Sequence, residues 1–177
     1  LFLRLTQRYE KPAWNIAGAA VEVALEKPFC RLIHFKQAVQ KKHKVLLVAP
    51  LSGHHATLLR DTVRSMLPQH EVWVTDWVDA KMVPIGAGPF HFADYVDYIG
   101  EFIGFLGADL NVISVCQPTV PVLCALALMA QSGEGPMPRV MVMMGGPIDA
   151  RRSPTAVNNL ATRKPYSWFE HNLIQRV

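Results

Sequence analysis

At 177 residues, half of them hydrophobic and 18% charged, the chain has the length of one domain and enough apolar content to bury a core, which argues against intrinsic disorder. Its three cysteines are too few and scattered for a disulfide framework, and no CxxC pair suggests zinc. The formal net charge of +4 is uneven: residues 1–44 carry nine Lys/Arg against three Asp/Glu, residues 45–138 three against nine, and residues 139–177 six against two. A nucleic-acid groove concentrates basic residues on its binding elements, so this acidic middle speaks against a nucleic-acid partner.

From the start of the chain, Leu1 to Arg8 is too broken an apolar stretch for a signal h-region. Val21-Glu22-Val23-Ala24-Leu25-Glu26 alternates with period two, Lys27-Pro28 makes a turn, and Phe29 to Phe35 is extended again, so a β-hairpin is expected. After the basic run Lys41-Lys42-His43-Lys44, Val45-Leu46-Leu47-Val48-Ala49 reads as a strand covered on both faces. Leu58, Leu59, Val63, Met66 and Leu67 fall at helical spacing, closed by Pro68, and Val72-Trp73-Val74 is the next short strand. Asp94 is the expected N-cap of a helix with the stripe Tyr95, Tyr98, Ile99, Phe102, Ile103 and Leu106, leaving Phe105 off it; Gly107 stands at the C-terminal position. A strand at Asn111–Val115, a helix at Pro118–Ala130 and a strand at Val140–Met144 follow, and Gly145-Gly146-Pro147 ends the last.

The segment from Leu110 to Gly133 carries no charge and is long enough to span a bilayer. Its first half is β-branched and its second rich in Ala and Leu, with Gln117, Pro118 and Pro121 between, so a buried strand turning into a buried helix is expected and no membrane span.

Buried strands alternating with helices define an α/β fold with a mainly parallel sheet and an N-terminal antiparallel hairpin. Ligands of such sheets sit beyond the carboxyl ends of the strands, which directs attention to Pro50–His55, Asp76–Asp79, Cys116–Gln117 and Gly145–Asp149. After Asp149 the pattern lapses into Arg151-Arg152-Ser153-Pro154 and a polar stretch. Residues 1–150 are therefore expected to form the core, and residues 151–177 to begin a lid or cap insertion or a connecting segment.

Ser114-Val115-Cys116-Gln117-Pro118 is the informative site. A strand turning sharply into a helix, with a nucleophile at the turn, is the nucleophile elbow of α/β-hydrolases, usually written G-x-S-x-G. Here Ser114 and Pro118 take the glycine positions and Cys116 the serine position. Serine is small, and proline suits a first helical turn, where its missing N–H costs nothing. A helix N-terminus stabilises a thiolate, and the backbone N–H after the nucleophile, that of Gln117, would face the developing oxyanion. On residue pattern alone a buried packing role for Cys116 stands beside the nucleophilic one, as it does more strongly for Cys30 and Cys124.

Val45-Leu46-Leu47-Val48-Ala49-Pro50-Leu51-Ser52-Gly53-His54, Thr75-Asp76-Trp77-Val78-Asp79-Ala80 with Val83-Pro84, and Ser114-Val115-Cys116-Gln117-Pro118 resemble the intracellular polyhydroxyalkanoate (polyhydroxybutyrate) depolymerases. Gly145-Gly146-Pro147-Ile148-Asp149, Ser153-Pro154-Thr155 and Trp168-Phe169-Glu170 extend the resemblance over nearly the whole chain in order. It implies an α/β-hydrolase fold and hydrolysis of amorphous intracellular poly(3-hydroxybutyrate) through a Cys-His-Asp triad, at cytoplasmic granules, with no metal or cofactor. The family's aspartate and histidine lie downstream, so the chain reads as an incomplete core with about six of eight strands. Such a piece holds the nucleophile and oxyanion half of the site and is expected to lack turnover.

By matching position, Leu51 or Ser52 is expected to give the second oxyanion N–H. His54 and His55 are candidates to touch substrate, with a surface or capping role as the other reading, and Trp168 and Phe169 are candidates to grip an apolar polyester, with lid packing as the other. Asp149 reads as a turn or cap aspartate more readily than as the triad acid, and Asp76 and Asp79 as loop caps. Two alternatives stand beside the depolymerase: a polyhydroxyalkanoate synthase-like acyltransferase using the same cysteine, and a non-catalytic granule scaffold on a hydrolase fold.

Overall fold

The computed structural model describes residues 11–51 and 55–173. Strands β1 (Ala20–Glu26) and β2 (Cys30–Lys36) form the expected hairpin, closed by reciprocal backbone bonds between Lys27 and Cys30 at 2.9 and 3.3 Å. Strand β3 (His43–Val48) is followed by a 3-10 turn at Ala56–Leu59 and helix α1 (Arg60–Met66). Strand β4 (His70–Trp77), helix α2 (Phe92–Leu106), strand β5 (Leu110–Val115), helix α3 (Thr119–Ser132) and strand β6 (Val140–Met144) complete the sheet unit. The six strands lie in the order β1-β2-β4-β3-β5-β6. β2 runs antiparallel to both β1 and β4, while β3, β4, β5 and β6 are mutually parallel where they pair.

Strand alternation sorts the core into two layers, because successive side chains point to opposite faces. Val45, Leu47, Val72, Val74, Ile33 and Phe35 face one way, onto Trp14, Leu59, Val63 and Leu67. Leu46, Val48, Leu32 and Val112 face the other way, onto Ile99, Phe102 and Ile103 of α2 and Val122 and Leu126 of α3. The apolar run from Val45 to Ala49 is thus buried on both faces, as a central parallel strand requires.

Three details differ from the sequence expectation. β4 extends to Trp77, because Thr75, Asp76 and Trp77 go on pairing with Leu32, Arg31 and Cys30. Their polar groups are satisfied inside the fold: Ala49 N–H donates to Thr75 Oγ1 at 2.9 Å, Trp77 Nε1–H donates to the Ala49 carbonyl at 2.9 Å, and Asp76 pairs with Lys11. Asp76 is therefore a buried strand residue and not a loop cap. Helix α2 is capped by His91 instead of Asp94; Asp94 sits at the third helical position and its carboxylate accepts the His91 N–H at 2.6 Å, completing a capping box. Third, β6 exposes Val140, Val142, Met143 and Met144, since it is an outer strand of the described sheet and only its Met141 is partly buried, against the core layer that includes Val112.

The Leu110–Gly133 segment resolves into β5 and α3, and among the described residues no helix is long and apolar enough to cross a membrane. Gly107 and Gly133 end α2 and α3 with φ of +73° and +69°, where glycine avoids the Cβ penalty.

His34 stacks on Trp73 with centroids 3.9 Å apart and lies 3.1 Å from Glu71. Burial outweighs that carboxylate and lowers the imidazole pKa from 6.5. The unfolded chain then binds the proton more readily, so stability present above the unfolded pKa is lost as pH falls through the lowered folded value. His34→Gln is expected to flatten the dependence of the urea midpoint on pH below about 6.5.

The second compact unit spans Pro147–Val177. It contains helix α4 (Ala156–Arg163), started by a Thr155–Asn158 capping box, and helix α5 (Tyr166–Asn172).

Candidate active site

Only Cys116, Gln117 and Pro118 separate the end of β5 from the start of α3. So abrupt a reversal needs one residue outside the usual backbone regions, and Cys116 takes it, with φ of +68°. A non-glycine residue held there costs on the order of 1–3 kcal/mol and persists only where its surroundings enforce it. Several neighbours do so. The Cys116 N–H donates to the Met144 carbonyl at the end of β6 at 2.7 Å. The Cys116 carbonyl accepts from the Thr119 N–H at 3.2 Å and from Thr119 Oγ1–H at 2.9 Å. Ser114 is fully buried and its hydroxyl donates to the Val142 carbonyl at 3.3 Å, which is why a small residue is needed two positions before the turn.

The elbow presents its thiol outward. Cys116 is exposed, Cys124 half-buried and Cys30 buried. Burial pushes the Cys30 thiol well above its ordinary range, with the Asp76 charge adding to the effect, so Cys30 is held protonated in the core. A packing role therefore suits Cys30 and does not suit Cys116.

Gln117 enters the site twice. Its backbone N–H is the one that follows the nucleophile, and its side-chain Oε1 accepts the Leu51 N–H at 3.2 Å. The side chain thus ties the segment after β3 to the elbow and occupies a donor that was expected to face an oxyanion. That second role was not foreseen, although a long amide directly after the cysteine was its visible sign. Ser52 and His54 lie outside the described residues. His55 is exposed and precedes the Ala56–Leu59 turn, its carbonyl accepting the Leu58 N–H at 3.0 Å.

A cleft of about 720 Å³ opens beyond the carboxyl ends of β3 and β4, lined by Phe29, Leu51, His55, Trp77, Asp79 and Phe90 among others. Phe29 stacks on Phe90 at 4.7 Å between centroids, and Trp77 meets Phe90 edge-on at 5.9 Å. Phe29 and Phe90 were not among the sequence candidates, because neither stands beside a motif. Asp79 caps the 3-10 turn at Ala80–Met82 by accepting the Lys81 N–H at 3.3 Å. It also pairs with Lys81 Nζ at 3.0 Å, and that hydrogen-bonded lysine holds its carboxyl below the usual range.

In the second unit, Asp149 accepts from the Arg151 N–H at 3.0 Å and from the Arg151 guanidinium at 2.8 and 3.1 Å, which lowers its pKa. That is the geometry of a turn aspartate. Trp168 and Phe169 pack edge to face at 5.2 Å in α5, and Lys164 Nζ lies 5.2 Å from the Trp168 ring centre. Among the described residues no group of three His, Cys, Asp or Glu side chains is placed to hold a metal ion.

Strand order, hairpin and elbow together define an α/β-hydrolase fold. Solved structures of this class superpose on the chain. A Staphylococcus aureus protein provisionally described as an esterase matches with a TM-score of 0.59 at 11% identity, over 99% of this chain and 57% of its own. A hormone-sensitive lipase from a metagenome library matches at 0.56 and 16% identity, over 91% and 53%. An esterase/lipase from an uncultured bacterium matches at 0.52 and 17%, over 88% and 54%. The chain thus spans between half and three-fifths of the length of these proteins. Residues 145–177 match the family model of the PHB de-polymerase C-terminus. Comparison with curated proteins finds no match.

Proposed function

We propose that the chain carries the nucleophile half of a carboxylic ester hydrolase acting on amorphous intracellular poly(3-hydroxybutyrate), with Cys116 as nucleophile, at granules in the cytoplasm. The observation that carries the reading is Cys116 itself: an exposed thiol on a left-handed turn between β5 and α3. Backbone strain of this kind is expected where a nucleophile must stand clear of the sheet. The depolymerase-family match at residues 145–177 supports the polymer, and the esterase and lipase descriptions of the superposed structures support the ester bond.

In the proposed reaction the Cys116 sulfur bonds to the ester carbonyl carbon, giving a tetrahedral oxyanion that the Gln117 N–H faces, together with a second N–H from Ser52, or from Leu51 once its bond to Gln117 Oε1 is released. The C–O bond then breaks, the thiol proton passes in net to the leaving hydroxyl, and a thioester remains. Water adds to the thioester, releasing the acid and restoring the thiol. His54 and His55, and Trp168 and Phe169, are proposed substrate contacts. The triad histidine and aspartate that the resemblance implies would supply the proton transfers.

The test is acylation by p-nitrophenyl butyrate, followed by peptide mass spectrometry. The expected outcome is one butyryl group on Cys116, installed at least about 100-fold faster than on Cys124 and without sustained turnover. Equal rates at the two cysteines overturn the assignment. For the polymer, the complete gene product carrying this sequence is assayed for 3-hydroxybutyrate release from amorphous granules beside its Cys116→Ala variant. Release lost in the variant supports the depolymerase; equal release from both sinks the nucleophile; release from neither favours the synthase or scaffold.

A further inference from the structure

We propose that the cleft walled by Phe29, Trp77 and Phe90 is a subsite for an uncharged ester segment, and that it rejects ligands bearing a carboxylate or phosphate there. The inference rests on the proposed esterase reading for the bond that reacts, but not for the binding itself.

Position links the cleft to the elbow. Leu51 lines it and donates its N–H to Gln117, the residue after Cys116, so a ligand lying along the aromatic wall leads toward the thiol. Its volume of about 720 Å³ falls in the range of sites that bury a small organic ligand. The wall is made of ring faces and edges, which favour methyl and methylene groups through area removed from water.

Charge then sets the selectivity. No lysine or arginine lines the cleft among the described residues, the His55 imidazole is the one basic side chain on that lining, and its one carboxylate, Asp79, is paired with Lys81 at 3.0 Å. An anionic group entering would lose hydration against aromatic carbon, meet the Asp79 carboxylate, and find the nearby cation already engaged. An ester, having no charge to desolvate, pays far less on entry. A polyester would then be seated through its interior or hydroxyl end and not through its acid end.

The test uses Cys116→Ala protein, so that binding is read without acylation. The probes are the linear 3-hydroxybutyrate trimer as its methyl ester and as its free acid, titrated by calorimetry at neutral pH. The methyl ester is expected to bind saturably and about tenfold or more tighter than the acid. Phe90→Ser should weaken the ester by about tenfold with an unchanged far-ultraviolet dichroism spectrum. Asp79→Asn should tighten the acid several-fold by removing the carboxylate and freeing Lys81, and so narrow the ratio of ester to acid affinity. Equal binding of ester and acid overturns the proposal, as does a folded Phe90→Ser protein that binds the ester like its parent. Ester selectivity that persists while Cys116 resists acylation in the unmutated protein would overturn the nucleophile and leave the subsite standing.

Discussion

Cys116→Gly is expected to abolish acylation by p-nitrophenyl butyrate and, at the same time, to make the fold more stable by about 1 kcal/mol. The two effects have one cause. At φ of +68° a Cβ is crowded against the backbone, and glycine removes that crowding at the cost of a more flexible unfolded chain. Because Cys116 is exposed, the lost side chain takes little packing with it. Cys116→Ala separates the contributions: it removes the sulfur but keeps the Cβ, so acylation should be lost while the urea midpoint stays close to that of the parent. A cysteine retained for packing would behave in the opposite way, losing stability in both variants and most in the glycine. Parallel urea titrations of the three proteins decide it, and a glycine variant less stable than the alanine variant would overturn the view that this turn is strained for function.

The elements were legible wherever burial imposes a period. Val45 to Ala49 reads as a central strand because both its faces are covered, and the stripe from Tyr95 to Leu106 reads as a helix because one face is. The elbow was legible as well, since only a few residue types suit a strand that turns at once into a helix. What escaped depends on partners distant in sequence. Asp76 looked like a loop residue because a carboxylate rarely sits in a buried strand; it does so here by pairing with Lys11, sixty-five positions away. The helix at Phe92 begins earlier than Asp94 suggested because a capping box uses its acid at the third position, and one acidic residue near a helix start fits either register. The aromatic cleft joins the hairpin turn, the end of β4 and the Gly88–Phe90 loop, three segments that no local pattern connects. The tie between Leu51 and Gln117 is of the same kind: two ordinary residues brought together by adjacent parallel strands β3 and β5.

Gly146 is where the sheet and the elbow press most closely on one another, and Gly146→Ala is expected to cost about 3 kcal/mol, the upper end of the usual range for overpacking. A methyl group built there would overlap the Thr119 side chain, which is fully buried. The backbone of Gly146 is not left-handed, so the requirement is for room and not for conformational freedom. Thr119 is also the residue that clamps the Cys116 carbonyl through its N–H and its hydroxyl. Displacing it should therefore disturb the turn that holds the thiol, and acylation should slow along with the loss of stability. A double-mutant cycle with Thr119→Ala isolates the clash. Removing Oγ1 and Cγ2 from Thr119 takes away two of the three atoms the new methyl would meet, so the penalty of Gly146→Ala should fall by about half in that background, a coupling within the range seen for residues in direct contact. Additive effects would mean that the two side chains do not compete for the same space, and the close approach of Gly146 to the base of α3 would then have no part in shaping the elbow.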